Sequence, residues 1–261
     1  MEVIIQSSPE RSAALAAKMV ARLVREKPDA VLGLPTGGTP VPLYAELVRL
    51  HREEKLDFAK VRTFNLDEYV GLASDNASSY HAFMRGHLFD HINVQAKNIH
   101  IPDGMAKDIS AACNAYEEAI RKTGGIDMQL LGIGTDGHIG FNEPSSSLSS
   151  RTRLKTLTDK TMHFNQSHFA PGQKVPRYAI TMGVGTIMDA KQCVLLASGS
   201  AKASVVQQMI EGPVTAMVPA SVLQMHPRTT IILDDDAAKS LRLKDYYRFV
   251  YGNKPDWQRC E

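Results

Sequence analysis

Leu131-Gly132-Ile133-Gly134-Thr135-Asp136-Gly137-His138-Ile139-Gly140-Phe141-Asn142-Glu143-Pro144 is the stretch on which the reading of this chain turns. The apolar run from Met128 to Ile133 leads into it and has the character of a buried strand. Glycines 132, 134, 137 and 140 then allow backbone angles that other residues avoid. The loop they form carries the acids Asp136 and Glu143 around His138. An imidazole titrates near neutrality, and a neighbouring carboxylate fixes its tautomer. In an open α/β sheet, ligands bind just beyond the carboxyl ends of the strands. A functional site is therefore expected here.

Other strand ends carry polar loops of their own. Ala30 to Leu34 is an apolar strand followed by Pro35-Thr36-Gly37-Gly38-Thr39-Pro40. Thr39 reads as the N-cap of a helix running to about Leu50, with Pro40 and Pro42 in its first turn. Free amides at a helix start, beside Gly37-Gly38 and the hydroxyls of Thr36 and Thr39, make an anion cradle. The spacing is neither a P-loop nor a dinucleotide fingerprint. The strand Val61 to Leu66 runs straight into Asp67-Glu68-Tyr69. The strand Cys193 to Ala197 enters Ser198-Gly199-Ser200-Ala201-Lys202, at a helix start where a lysine opposes the helix dipole. A nearby anion accounts for such a lysine; so does plain solvation.

Bulk properties narrow the class. The chain has 261 residues, 43% hydrophobic and 22% charged, which supports a sizeable core and argues against disorder. A net charge of +2 removes the electrostatic case for a nucleic-acid binder. The local cluster Arg151-Thr152-Arg153-Leu154-Lys155 is sized for one phosphate. Cys113, Cys193 and Cys260 form neither a zinc clip nor a CxxC pair, which fits a reducing compartment. No signal peptide and no apolar run of transmembrane length stand out, so a soluble, cytoplasmic protein is expected.

Strands and helices alternate along the chain. Ser8-Pro9-Glu10 opens the first helix, Asp108 to Arg121 forms another, and Asp234-Asp235-Asp236 reads as the cap of a last one. His87 and His91 have a metal-chelating spacing within a helix from Ser78 to Asp90, but no HExxH context, so packing is the better account. Thr161 to Lys174 lacks periodicity and reads as a surface excursion beside the site. The expectation is an α/β protein of one domain spanning 1–261. It would have an open, mainly parallel, Rossmann-like sheet with helices on both faces, and a lid around 158–176.

With these residues assembled, the chain resembles the glucosamine-6-phosphate deaminase family. The resemblance rests on Leu32 to Pro40, on Asn65-Leu66-Asp67-Glu68-Tyr69, on Gly134 to Pro144, and on Ser150 to Leu157. It implies aldose–ketose isomerisation coupled to loss of the 2-amino group, yielding fructose 6-phosphate and ammonia. It implies no redox cofactor and no metal. By the resemblance, Asp67 is the base moving a proton between C2 and C1, and His138 assists ring opening. Asp136 and Glu143 orient and tune that histidine. The substrate phosphate lies on Thr36, Gly37, Gly38, Thr39 and Lys202.

One departure stands out. The family's lid carries an Asn-Ser-Arg-Phe run whose arginine grips the phosphate, and here the stretch reads Asn165-Gln166-Ser167-His168-Phe169. His168 is one stand-in and Arg177 another. The resemblance also implies an allosteric phosphate site for N-acetylglucosamine 6-phosphate at Ser146, Arg153 and Lys155, in a homo-oligomer with a hexamer favoured. Two other readings compete. One is a 6-phosphogluconolactonase-like hydrolase, in which the Phe141 to Pro144 continuation is unexpected. The other is a non-catalytic sugar-phosphate sensor of the repressor type, which calls for a DNA-binding helix pair that is not seen before the strand at Val3.

Overall fold

Parallel strands buried on both faces are mostly apolar, because each pleat meets a helix layer. The computed structural model, which describes residues 1–170, 172–255 and 258 (for 160 and 168 the backbone alone), shows that arrangement. The chain runs through β1 (Glu2–Gln6), α1 (Pro9–Glu26), β2 (Val31–Leu34), α2 (Val41–Glu54), β3 (Arg62–Asn65) and β4 (Asp67–Tyr69). It continues through α3 (Tyr80–His87), β5 (Ile99–His100), α4 (Ile109–Lys122), β6 (Met128–Leu131), β7 (Arg153–Thr156) and α5 (Asp159–Asn165). The last elements are β8 (Tyr178–Thr181), α6 (Val184–Met188), β9 (Cys193–Ala197), α7 (Ala203–Glu211), β10 (Thr229–Asp234) and α8 (Lys244–Gly252).

Seven strands form one parallel sheet in the order β1-β10-β9-β6-β2-β3-β5. Successive residues serve opposite cores. Leu32, Met128, Leu130, Val194 and Leu196 pack with α1 and α2, whereas Val31, Phe64, Leu131 and Leu195 pack with α4, α6 and α7. The direction of winding reverses between β2 and β6, since the chain leaves β2 toward β3 and leaves β6 toward β9. That is a topological switch point, where a crevice opens beyond the strand ends.

Three strands belong elsewhere. β4, β8 and β7 make a small antiparallel sheet, with Asp67 opposite Thr181 and Arg153 also opposite Thr181. Asp67 thus leaves the parallel sheet at Leu66 and enters a second sheet at once. Three further local expectations change. Thr39 is not the cap of α2: that place falls to Pro40, with no side-chain bond. Asp234 closes a turn by accepting from the Ala237 amide, and the last helix begins at Lys244. The aperiodic segment after Leu157 contains a helix, α5, capped by Thr158. Cys113 and Cys193 are free and buried, and Cys260 lies outside the described residues. No helix among the described residues is long and apolar enough to cross a membrane.

Candidate active site

The crevice at the switch point is a cavity of about 780 Å³. The loop after β2 supplies Thr36 to Thr39, the start of the second sheet Asp67 and Tyr69, and the loop after β6 Gly132 to Asp136, His138, Gly140 and Phe141. α3 supplies Tyr80, Phe83 and His87, the segment around α5 Thr161, His163 to Asn165 and Phe169, and the approach to α7 Lys202.

The β6 loop is shaped around its histidine. His138 Nδ1 lies 2.6 Å from Asp136 Oδ1, and the His138 amide donates to the same oxygen at 3.3 Å. This bond, ahead of the opposing cost of burial, holds the Asp136 carboxyl down at about 2. With Nδ1 so engaged, Nε2 is the nitrogen left to act. Gly134 is required by proximity rather than by its own angles, because a Cβ there would fall 2.1 Å from His138 Cε1. Gly140 has φ +56, and its Cβ would meet Thr181 Oγ1 at 2.9 Å and Asp67 Oδ2 at 3.4 Å. The loop is tied to β8 by Phe141 N donating to Thr181 Oγ1 at 3.0 Å and Asn142 Nδ2 donating to Met182 O at 2.7 Å.

Asp67 is buried, 5% exposed. Burial first, and the neighbouring Glu68 charge second, push its carboxyl up to about 8. A carboxylate tuned into this range is a far better proton acceptor than an exposed one. Lys202 Nζ donates to Ile133 O at 2.7 Å, which draws its ammonium over the β6 loop. Burial lowers its pKa against the pull of Asp136. Above Gly37 and Gly38 the space is open, since a Cβ on either would meet nothing within 4 Å. The Gly37–Gly38 turn is therefore open where it lines the cavity.

The remaining expected residues lie elsewhere. Glu143 does not line the cavity. Its carboxylate accepts from Thr158 Oγ1 at 3.0 Å and from Thr161 Oγ1, so it holds the start of α5 instead of the His138 ring. The chain turns at the Ile139–Asn142 bridge just before Glu143, whose carboxylate then engages α5. Ser146, Arg153 and Lys155 also stand outside the cavity wall. Ser146 is buried with its Oγ unpartnered, and Arg153 Nη1 donates to Asn142 Oδ1 at 2.9 Å. The His168 side chain lies outside the described residues, and Arg177 is exposed and does not line the cavity. Among the described residues no arginine lines it. The aromatic wall of Tyr69, Tyr80 and Phe141, and His163 at the mouth, escaped the sequence reading, because core-like aromatics and a loop histidine carry no signal of their own. No group of three or more metal-binding side chains occurs among the described residues; His91 instead bonds Gly86 O.

The fold and site define an α/β protein whose strand-end cavity joins an anion cradle to a buried acid and an acid–histidine pair. Residues 6–232 match the family described as glucosamine-6-phosphate isomerases/6-phosphogluconolactonase, and the chain belongs to that family. It is 53% identical over 258 residues to the glucosamine-6-phosphate deaminase of Arthrobacter sp. (strain FB24), covering 99% of both chains. It is 54% identical over 250 residues to that of Hahella chejuensis, covering 96% of this chain and 95% of the other. The solved structure of a monomeric glucosamine-6-phosphate deaminase superposes with TM-score 0.89 at 44% identity, over 92% of this chain and 100% of that one. A 6-phosphogluconolactonase from Trypanosoma cruzi shares the fold, with TM-score 0.73 at 23% identity over 92% and 97% of the two chains.

Proposed function

We propose that this chain converts glucosamine 6-phosphate to fructose 6-phosphate and ammonia, with water consumed. The observation that carries the reading is one cavity lined by the buried Asp67, by His138 ordered through Asp136, and by an open cradle next to Lys202. The phosphate sits on the Thr36 to Thr39 amides and hydroxyls and on Lys202. His138 Nε2 faces the pyranose ring oxygen and moves the proton that opens the ring. Asp67 then takes the C2 proton and returns it at C1, a step eased by the adjacent carbonyl or iminium. Water adds to the resulting ketimine carbon and ammonia leaves. Relatives at more than half identity bear the name of this activity, whereas lactonases at 23% identity or less share only the fold. Ammonia release from glucosamine 6-phosphate tests the reading, and Asp67→Asn abolishes turnover while substrate still binds. Activity of that variant within a few-fold of wild type would remove Asp67 as the base.

The segment 158–176 acts as the lid of this site, anchored at its start by Glu143, and the enzyme works in the cytoplasm. Ser146, Arg153 and Lys155 take the phosphate of an activating acetylated amino-sugar phosphate, supported by the buried Ser146 Oγ, which has no hydrogen-bond partner. Such activation goes with a homo-oligomer, a hexamer for preference, although one deaminase relative is monomeric. A sigmoidal rate curve made hyperbolic by N-acetylglucosamine 6-phosphate is the expected result; hyperbolic kinetics with and without it would eliminate the site.

A further inference from the structure

Next to Asp67 stands a second acid that the reaction does not use. Glu68 is 0% exposed, yet every oxygen of its carboxylate is occupied. Oε1 accepts from the Tyr69 amide at 2.8 Å and the Tyr80 amide at 3.1 Å. Oε2 accepts from the His81 amide at 3.1 Å and meets His81 Nδ1 at 2.9 Å. A buried carboxylate survives only with such a set of donors. Its position matters as much as its bonding. Tyr80 and His81 open α3, and α3 brings Tyr80 and Phe83 to the cavity wall. Glu68 therefore bolts that wall to the three-residue strand bearing Asp67.

We propose that Glu68, braced by His81, is a positioning residue: it docks the first turn of α3 on the Asp67 strand and sets the charge that Asp67 experiences from behind. This rests on the reading of Asp67 as the base. The neighbourhood leaves Glu68 as the electrostatic lever. Tyr44 on α2, Tyr69 on β4, Tyr80 on α3 and Tyr116 on α4 all interact electrostatically with Asp67, and burial pushes each phenol up, so they stay neutral. Lys202, His138 and Asp136 share the cavity with Asp67. Glu68 is the charged group that raises Asp67 after burial itself. Gly104 packs on the same strand so closely that a Cβ there would fall 2.1 Å from Tyr69 O, with Glu68 Cγ in ordinary contact at 3.5 Å. His81 is 31% exposed and, with Asp103, lines a small cavity of about 300 Å³.

The test is the titration of Asp67 together with the pH–rate profile. In Glu68→Gln, the Asp67 carboxyl, followed by carbon NMR in the full-length protein, titrates at least about one pH unit lower, because a like charge has gone. The acidic limb of kcat moves with it, and kcat at high pH falls as the base weakens. Should Glu68→Gln fail to fold, His81 carries the test: His81→Ala lowers kcat about tenfold or more, and His81→Asn, which keeps a donor to Oε2, restores most of it. An unmoved Asp67 titration in Glu68→Gln, or wild-type kcat and pH profile in His81→Ala, overturns the proposal. Absence of ammonia release by the wild type would instead count against the function, and the Asp67 titration would still judge the role of Glu68.

Discussion

His138 Nδ1 meets Asp136 Oδ1 at 2.6 Å, two residues away along one loop, with both side chains about a quarter exposed. Its bond to His138 holds the acid down at about 2, so it is ionised at neutral pH. In the proposed reaction it is the negative charge that sets the imidazole tautomer and stabilises an imidazolium. Asp136→Asn removes the charge and keeps the shape. Ammonia release is expected to fall by about 10² to 10⁴-fold in kcat, with KM changed little.

With Asp67 as the proposed base, its carboxyl sets the expected pH dependence. A base must be ionised, and burial pushes this carboxyl up to about 8. Activity, measured as kcat/KM in the free enzyme, therefore rises with pH through an acidic limb near that value. A limb near pH 4 would mean that Asp67 is not the group that titrates.

The same shift has a stability consequence. The folded-state pKa lies above the unfolded one, so the Asp67 contribution is fully present below about pH 4 and is lost as pH rises through about 8. The cost is that of ionising a buried carboxyl. Asp67→Asn is thus expected to melt at or near the wild-type temperature at pH 4 and several degrees above it at pH 9. Melting curves at the two values check this; an equal difference at both pH values would contradict it.

Gly134 tests the loop. A methyl at this position occupies the site of the His138 ring, 2.1 to 2.5 Å from its atoms. Gly134→Ala is expected to displace the imidazole and lower kcat by about 10²-fold or more, while far-ultraviolet circular dichroism stays that of the folded protein.

Thr161 separates two roles for Glu143. Its hydroxyl donates to a carboxylate that also holds Thr158 at the start of α5. Thr161→Val leaves that buried acid short of a donor, a local cost of about 1–3 kcal/mol. If Glu143 anchors the lid, KM rises several-fold, and limited proteolysis within 158–176 accelerates. If it served His138 directly, kcat would fall and KM would hold.

Much of the architecture was legible because the central parallel strands are buried on both faces and read as apolar runs, as Val31 to Leu34 and Cys193 to Ala197 do. The Asp136–His138 pair was legible because a bond across two residues is local. Other features were not. The departure of Asp67 into an antiparallel sheet depends on its pairing with Thr181, more than a hundred residues away. Helix α5 is short, and its start is held by Glu143 rather than marked by periodicity.

Sequence alone determined the strand order of events: which segments are apolar, which loops follow them, and that acids, a histidine, a lysine and a glycine-rich turn end those strands. Only the tertiary structure decided which of those groups meet. It gathered Thr36, Asp67, His138 and Lys202 around one cavity and left Glu143 outside its lining, bonded to Thr161. It also set Glu68 behind Asp67, where burial and a like charge give an ordinary aspartate its unusual basicity. Polar chemistry of this kind depends on distance and desolvation across the fold, and neither is written in the spacing of residues along the chain.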